Sequence, residues 1–482
     1  MSAVRTIARN TSVQAGAEVL GKVASLAFFV VMARELGQDG FGAFTFALSL
    51  ALLTTAVAGL GLDDLIGRDV SREPAIAPRL MTDALLARAA SGALAIVAAV
   101  AIAWIGGSDA DTRLAVALLA FAAALETASK VFHATFQGLD DLRPVAAALI
   151  LQRIFTAVVG VALLFAGQGL VTMAAVYLAG AVLAQAYIAL RLHRRGVRPE
   201  RRPSAARSAM LVRASAALGI TVLLDTVLFR IDATMLSFMK TDEDVGIYGA
   251  AYRLLESTLF LSWAFVAALL PTLSRLSATS SPPVGQVYEL GTKLIVAALL
   301  PLGTGFVLFA EPVVDALYGA EYAEAVGAVR LLGGAAALYG IAYLSASTLL
   351  AQRRQAVLPW ATGAVLAVNV TLNLVLIPPL SYDGAALATS ISELLLAVVL
   401  SVAVWRVTGA ISLGRVLAGP VAGCAALAAV AVVAGASLAT LAFGAAAYTA
   451  VLLIVERRLY PADVRLLLGV VRRQRPISDA SG

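Results

Sequence analysis

The stretch VMARELGQDGFGAFTFALSLALLTTAVAGLGLDDLIGRDVSR, residues 31–72, determines the fold class of this chain. It joins the end of one apolar run to a second apolar run through a short polar turn, and it then reaches a charged segment. A helix of about 20 apolar residues crosses a bilayer core of about 30 Å, and in lipid a helix satisfies its own backbone polar groups. The stretch therefore predicts two consecutive transmembrane helices.

The rest of the chain repeats this pattern. Of its 482 residues, 60% are hydrophobic and 14% are charged, whereas soluble domains have about 45–50% and about 25%. We therefore predict an all-α integral membrane protein of about fourteen transmembrane helices, whose first apolar run is a span and not a cleaved signal peptide. The predicted spans are 12–34, 41–62, 84–105, 113–136, 145–166, 170–190, 209–238, 247–273, 288–309, 325–350, 357–377, 384–405, 415–435 and 438–456.

Basic residues predict the orientation of these spans. Lys and Arg are concentrated at the N-terminus and in every second connection, as expected for segments that stay in the cytoplasm. The predicted external segments hold essentially Arg34, Arg113 and Lys240. We therefore expect both termini to be cytoplasmic. The net charge of +6 reflects this topology, and we exclude nucleic acid as a partner.

The sequence also contains an internal repeat. RELGQDGFGAFTFALSL at 34–50 resembles FMKTDEDVGIYGAAYRL at 238–254 when Gly42 is aligned with Gly246, six spans apart. Because six is even, the repeat predicts two pseudo-symmetric six-helix lobes of the same orientation around a central cavity. The predicted division is an N-lobe at 1–190, a basic cytoplasmic linker at 191–208, a C-lobe at 209–406, two further spans at 407–460 and a cytoplasmic amphipathic tail at 461–482.

Ionisable residues inside the predicted spans are the candidate functional residues, because an unpaired charge in the bilayer core is costly. Basic side chains suit a phosphorylated headgroup, since they make charge-assisted hydrogen bonds to phosphate. The candidate headgroup-binding residues are Lys22, Arg153, Arg230, Arg253 and Arg330. The candidates for ion coupling or internal ion pairs are Glu18, Glu126, Lys130, Asp225, Asp232, Glu256 and Glu393.

Spacing predicts how some of these charges meet. Glu18 and Lys22 are four residues apart on one helix face, and Glu126 and Lys130 have the same spacing. Such pairs either neutralise each other so that a helix can cross the membrane, or take part in transport. Near the external ends of spans seven and eight we expect a four-member network of Arg230, Asp232, Arg253 and Glu256.

The sequence offers little for catalysis or metal binding. A single cysteine, Cys424, excludes an intramolecular disulfide, and the two histidines, His133 and His193, exclude a histidine-rich metal site. No spacing of nucleophile and base or of metal ligands stands out. We therefore expect no enzyme activity and no cofactor, apart from Na⁺ or H⁺ as a possible coupling ion.

Four segments together resemble the polysaccharide flippases of the multidrug/oligosaccharidyl-lipid/polysaccharide (MOP) superfamily. They lie at 31–72, at 230–256 (RIDATMLSFMKTDEDVGIYGAAYRLLE), at 318–332 (YGAEYAEAVGAVRLL) and at 369–393 (NVTLNLVLIPPLSYDGAALATSISE). The resemblance implies alternating-access translocation of undecaprenyl-pyrophosphate-linked oligosaccharides across a bacterial plasma membrane, with polysaccharide polymerases or glycosyltransferases as partners. The related lipid II flippase has a similar arginine in the stretch matching YRLLE, which implies a headgroup contact for Arg253. Many polysaccharide flippases have twelve spans, so the last two here depart from that pattern.

Two other functions remain open at this point. A drug or cation exporter of the same superfamily would have a more acidic and aromatic cavity than these arginines predict. A membrane polysaccharide polymerase would be an enzyme with a similar number of spans, but it needs a large external loop, and none is predicted here. We expect the protein to act as a monomer on a lipid-linked oligosaccharide among membrane lipids.

Overall fold

A computed structural model describes residues 3–59, 61–200, 202–278, 284–409 and 411–463, with side chains from residue 20 onward except at 57–58, 64, 217–218 and 268–278. Within these ranges the long elements are all α-helices, as predicted. They are α1 (Ala3–Gly59), α2 (Leu62–Arg72), α3 (Ala77–Ile105), α4 (Ala110–Gly138), α5 (Arg143–Phe165), α6 (Leu170–Arg194), α7 (Ala205–Met239), α8 (Asp242–Ala278), α9 (Val284–Tyr318), α10 (Ala325–Leu332), α11 (Ala335–Ala351), α12 (Val357–Thr408), α13 (Leu413–Ala434) and α14 (Leu438–Leu459).

Two of these helices contain two spans each. The backbone of α1 breaks at Gly37 (φ 68°) and that of α12 breaks at Ser381 (φ 48°), at the turns predicted between spans one and two and between spans eleven and twelve. Ten helices of the described residues are long and apolar enough to cross a membrane, or eleven if the two halves of α7 count as one span. Division of α1 and α12 at their breaks, together with α8, agrees with the predicted number of about fourteen.

The two copies of the internal repeat contact each other in a reciprocal way. A Cβ atom added to Gly42 would lie 1.8 Å from the carbonyl oxygen of Asp242, and one added to Gly246 would lie 2.1 Å from the carbonyl oxygen of Gln38. The alignment that pairs Gly42 with Gly246 also pairs Gln38 with Asp242, so each copy makes the same contact to the other. Such reciprocity is the property of a two-fold interface. It supports the pseudo-symmetry predicted from the sequence.

The chain divides into two compact units. The first comprises Met1–Phe260, Leu317–Ala328 and Leu358–Ser392, and the second comprises Leu261–Ala316, Val329–Val357 and Glu393–Gly482. These discontinuous units differ from the contiguous lobes at 1–190 and 209–406, whose boundaries stay a prediction. The predicted tail at 461–482 lies outside the described residues after Asp463.

The last two helices, in the second unit, pack closely through small residues. Gly419 and Gly423 of α13 are four residues apart, and a Cβ at Gly423 would lie 2.6 Å from the ring of Tyr448 on α14. Leu427 of α13 packs against Gly444 of α14 in the same way: a Cβ added at Gly444 would lie 2.3 Å from Cδ1 of Leu427. Small residues spaced by four let transmembrane helices approach closely. The pair α13 and α14 is therefore one packed hairpin.

Candidate functional site

The first compact unit contains a cavity of about 320 Å³ lined by α1, α4, α5, α6, α7 and α8. Seven of the twelve charged residues predicted from the sequence line this cavity. Five of the seven are basic and two are acidic, so the wall has an excess of three positive charges with histidine neutral. The seven residues are Lys22, Glu126, Lys130, Arg153, Arg230, Arg253 and Glu256.

Two arginines of the cavity share one carboxylate. Arg253 donates from Nη1 to Oε2 of Glu256 at 2.6 Å, and Arg230 donates from Nη2 to Oε1 of the same residue at 2.9 Å. The guanidinium carbon of Arg253 also lies 3.8 Å from the centroid of the Phe29 ring. Carboxylate and ring together offset the cost of burying the guanidinium, whose side chain is only 8% exposed. The trio of Arg230, Arg253 and Glu256 keeps a net positive charge at the wall of the cavity.

A glycine makes room for a further arginine. A Cβ at Gly21 of α1 would lie 2.5 Å from Cδ and 2.6 Å from Nη1 of Arg153 on α5, so the arginine crosses α1 where a side chain is missing. Lys22 follows directly on α1 and is close enough to Glu256 to act on it electrostatically. Both cations are half-buried and line the cavity. The close approach of α1 and α5 thus brings charges more than a hundred residues apart in sequence to one site.

Another part of the cavity wall combines the Glu126 carboxylate with neutral hydrogen-bonding groups. Glu126 of α4 accepts a hydrogen bond from Nε2 of Gln152 on α5 and another from the hydroxyl of Tyr177 on α6. Lys130, four residues from Glu126, acts on this carboxylate electrostatically. Thr156, also in the wall, is one helical turn beyond Gln152. These groups give the cavity donors and acceptors in addition to its positive charge.

The structure corrects the prediction for Asp232, which does not join the arginine network. Its carboxylate is 2% exposed and accepts from Nδ2 of Asn373 at 2.6 Å, from Oγ1 of Thr389 at 2.5 Å and from the hydroxyl of Tyr248 at 3.3 Å. Arg230 and Asp232 are two residues apart, and such residues point to different faces of a helix. We call Asp232, Tyr248, Asn369, Asn373 and Thr389 the Asp232 cluster, in which Asn373 also donates to Asn369 at 3.1 Å.

Three of the remaining predicted residues, Arg330, Glu393 and Asp225, do not line the cavity. Arg330 is exposed on α10, and Glu393 is 7% exposed on α12; both belong to the second unit. Asp225 is exposed on α7 and hydrogen-bonded to Thr362 of α12. The side chain of Glu18 lies outside the described residues. The roles assigned to these four charged residues stay predictions.

Sequence reasoning missed a buried lysine in the second unit. Lys293 of α9 is 5% exposed, and its Nζ lies 2.5 Å from Oε2 of Glu456 and 2.9 Å from Oδ2 of Asp463. The same Nζ lies 4.2 Å from the ring centroid of Tyr460, and Asp463 also pairs with Arg415 of α13. We call these five residues the Lys293 cluster. Its members lie near the ends of predicted spans, where charges are ordinarily hydrated, so their position in the sequence gave no warning of burial.

A second buried cation was also missed. The side chain of Arg88 on α3 is 0% exposed, and its Nη2 donates to Oδ1 of Asp63 on α2 at 2.8 Å. Arg88 lies within the predicted span 84–105, close to its beginning, which was the available signal. The short helix α2 supplies the carboxylate, and no spacing rule connects the two residues. A pair of this kind fastens α2 to the transmembrane bundle of the first unit.

Comparison with known proteins indicates a family. A family profile described as polysaccharide biosynthesis protein matches residues 7–277. A curated relative, the probable low-salt glycan biosynthesis flippase Agl15 of Haloferax volcanii, is 24% identical over 164 residues. This match covers 33% of the chain and 34% of the relative, so the chain matches about a third of that protein's length.

Solved structures indicate the fold. The lipid II flippase MurJ in an inward closed conformation superposes with a TM-score of 0.77 at 14% identity, over 94% of this chain and 99% of that chain. An inward-facing multidrug resistance MATE family transporter of the MOP superfamily superposes with a TM-score of 0.65 at 15% identity, over 81% and 96% of the two chains. At these identities the likeness concerns the fold, which is that of multi-pass membrane transporters.

Proposed function

Since this chain belongs to the polysaccharide biosynthesis protein family, we propose that it is a flippase for a lipid-linked oligosaccharide. In this proposal it moves an undecaprenyl-pyrophosphate-linked oligosaccharide from the cytoplasmic to the outer leaflet of a bacterial plasma membrane, with both chain termini in the cytoplasm. It works by alternating access and catalyses no covalent step. The names of Agl15 and MurJ, both flippases, support this proposal.

The positive cavity of the first unit carries the proposal. A pyrophosphate diester has about two negative charges, and planar guanidinium groups bind its oxygens with charge-assisted hydrogen bonds. Arg153, Arg230 and Arg253, together with Lys22, line a space of about 320 Å³. An exporter of cationic drugs would need the opposite charge balance in this space. The observed excess of positive charge therefore favours an anionic headgroup over a cation.

We further propose that the Asp232 cluster binds the coupling ion, either Na⁺ or a proton. The described partners of the Asp232 carboxylate are neutral hydroxyl and amide groups. One buried atom of the cluster, Oδ1 of Asn373, has no hydrogen-bond partner among the described residues. Rotation of the Asn373 amide would turn its oxygen toward the carboxylate, and hard cations prefer such oxygen ligands. A proton on Asp232 would satisfy the same site.

Transport by reconstituted protein tests the headgroup site. The full chain is placed in liposomes with the lipid-pyrophosphate oligosaccharide, and the glycan that appears on the opposite face is labelled with a membrane-impermeant reagent. We expect Arg253→Ala and Arg153→Ala each to lower the initial rate about 10- to 100-fold, which corresponds to the loss of one charge-assisted hydrogen bond. Arg253→Lys keeps the positive charge but loses the planar guanidinium that can make two parallel hydrogen bonds, so it should recover only part of the transport rate.

A matched variant controls for unspecific loss of charge. Arg198 lies on the exposed connection between α6 and α7, so Arg198→Ala should transport at the wild-type rate. Wild-type rates for both Arg253→Ala and Arg153→Ala would contradict the proposed site. Competition by organic cations in place of pyrophosphate lipids would favour the exporter instead.

A further inference from the structure

The hydrogen-bonding part of the cavity wall has a chemistry that phosphate binding does not use. Glu126 offers acceptor oxygens, which phosphate does not need; its described hydrogen bonds come from the neutral groups Gln152 and Tyr177, and Lys130 and Arg153 act on it electrostatically. A carboxylate held in this way keeps lone pairs for further donors, and the Gln152 amide keeps a carbonyl acceptor. A ligand for this part of the wall must therefore offer hydroxyl or amide donors.

An unpartnered hydroxyl in the same wall strengthens this requirement. Thr156 is 6% exposed, and its Oγ1 has no hydrogen-bond partner among the described residues. It lies four residues after Gln152 on α5 and therefore on the same helix face. A Cβ at Gly180 of α6 would lie 2.5 Å from this oxygen, so the hydroxyl packs against α6 at a position without a side chain. A buried polar group without a partner is costly, and a ligand hydroxyl would satisfy it.

The position of these groups beside the arginines identifies the ligand. We infer that Glu126, Gln152 and Thr156 form a subsite for the first sugar attached to the pyrophosphate, and that this sugar is uncharged. Carboxylate, amide and hydroxyl groups match the alternating donors and acceptors of sugar hydroxyl and acetamido groups. The carboxylate of an acidic sugar would be repelled by the carboxylate of Glu126. An apolar ligand would leave the polar atoms of the wall unsatisfied.

The size of the cavity limits how many sugars of the glycan can contact the protein. Its volume of about 320 Å³ lies at the lower end of ligand pockets, which measure about 300–1,000 Å³. This space suits a headgroup with its first sugar and not a whole oligosaccharide. Specificity would then depend on the sugar next to the lipid, while more distant sugars are tolerated.

Binding of two defined probes tests this inference, which rests on the proposed function. The probes are a short-chain prenyl pyrophosphate and the same molecule with one neutral N-acetylhexosamine attached, titrated into the full-length protein in lipid nanodiscs. We expect the wild type to bind the sugar-bearing probe at least about tenfold more tightly than the bare probe. Gln152→Ala and Thr156→Val should each reduce this preference about fivefold, whereas Arg253→Ala should weaken binding of both probes.

A third probe and a control sharpen the test. With a uronic acid in place of the neutral sugar, Glu126→Gln should bind about tenfold more tightly than the wild type, because the repulsion is removed. Arg198→Ala should keep the wild-type affinities for all three probes. The sugar subsite is refuted if the wild type binds the bare and sugar-bearing probes equally, or if Gln152→Ala and Thr156→Val keep the full preference. Failure of both probes to bind the wild type would instead overturn the proposed function itself.

Discussion

At the scale of the residue, the cost of buried charge explains the contacts of the buried ionisable side chains. Arg253 is acceptable inside the first unit because Glu256 and the ring of Phe29 replace its hydration. Two of the basic residues on predicted external segments are similarly engaged: Arg34 donates to the carbonyl of Leu317 at 2.6 Å, and Lys240 donates to that of Pro378 at 2.9 Å. A basic side chain that donates to an unpaired carbonyl near the C-terminal end of a helix stabilises that helix end. These exceptions to the charge pattern thus have local structural roles.

Asp463 gives a prediction at this scale. The hydrogen bond from Arg415 lowers the pKa of its carboxyl, with Lys293 acting in the same direction and burial opposing both. A group with a lowered folded-state pKa stabilises the protein above its unfolded pKa, about 3.9, and this contribution is lost as the pH falls through the folded-state value. We expect Asp463→Asn to lower the thermal midpoint at pH 7 by weakening the bonds from Arg415 and Lys293, at a cost of about 1.5–3 kcal/mol, the range for hydrogen bonds to charged groups.

The pH dependence separates this effect from a general loss of packing. The difference in thermal midpoint between the wild type and Asp463→Asn should shrink below about pH 4, because the wild type then loses the same ionic contact. Thermal unfolding in detergent at several pH values measures it. Asp111→Asn, at an exposed position on α4, should behave as the wild type throughout. A difference that stays constant down to pH 2 would contradict the role of the Asp463 charge.

At the scale of the element, breaks and close crossings determine how the helices pair. Gly37 adopts a left-handed conformation (φ 68°), which costs glycine little and lets α1 reverse into a second span. Ser381 performs the same reversal in α12 with a conformation that is unfavourable for a side chain. Its hydroxyl donates to Oδ1 of Asp244 on α8, which helps to hold the strained residue. Both reversals were predicted as connections, but their continuity with the flanking helices was not.

The reciprocal glycine contact gives a prediction for these elements. Gly42→Ala and Gly246→Ala each place a Cβ about 2 Å from a backbone oxygen, so α1 and α8 must separate or the variant must be strained. We expect either variant to lose about 1–3 kcal/mol of stability and to unfold at a lower temperature. Thermal unfolding of the purified protein in detergent measures this loss. Gly414→Ala on α13, which meets open space, is the matched control and should keep the wild-type midpoint. Equal midpoints for all three variants would show that the crossing is not tight.

At the scale of the whole molecule, the chain has the all-α, multi-pass membrane architecture of MOP superfamily transporters. It contains a positive cavity and, separately, a buried carboxylate among neutral groups. A transporter needs a substrate site and, if it is driven, an ion site whose occupancy favours one conformation. In the proposed function the cavity and the Asp232 cluster are these two sites, and Arg230 and Asp232, on different faces of α7, belong to one each. The proposed coupling would act through α7, which carries both residues.

Ion dependence of transport tests this coupling. In liposomes with an imposed Na⁺ or proton gradient, the wild type should translocate the lipid-linked oligosaccharide faster than without a gradient. Asp232→Asn cannot bind a cation through charge or take up a proton, so we expect its rate to be independent of the gradient. Asp111→Asn controls for the loss of a carboxylate elsewhere. A full gradient response in Asp232→Asn would place the coupling ion at another site.

The sequence by itself determined the membrane class, the approximate number of spans and the repeat around Gly42 and Gly246. These depend on apolar run length and on similarity between segments, which are properties of neighbouring residues. It also identified most of the charges that line the cavity, because a charge inside an apolar run is conspicuous wherever it lies. Spacing within one helix was enough to predict the approach of Arg253 to Glu256.

Only the tertiary structure decided which helices bring these charges together. Arg153 packs against Gly21, and Gln152 donates a hydrogen bond to Glu126. Asp232 accepts hydrogen bonds from Asn373 and Thr389. The partners in each of these contacts are far apart in sequence. Helix periodicity defines the face on which a residue lies but not the neighbour that this face meets. In a membrane that neighbour depends on close packing of whole helix surfaces, since apolar residues are equally well solvated by lipid. The partners of the buried charges are therefore a property of the packed bundle.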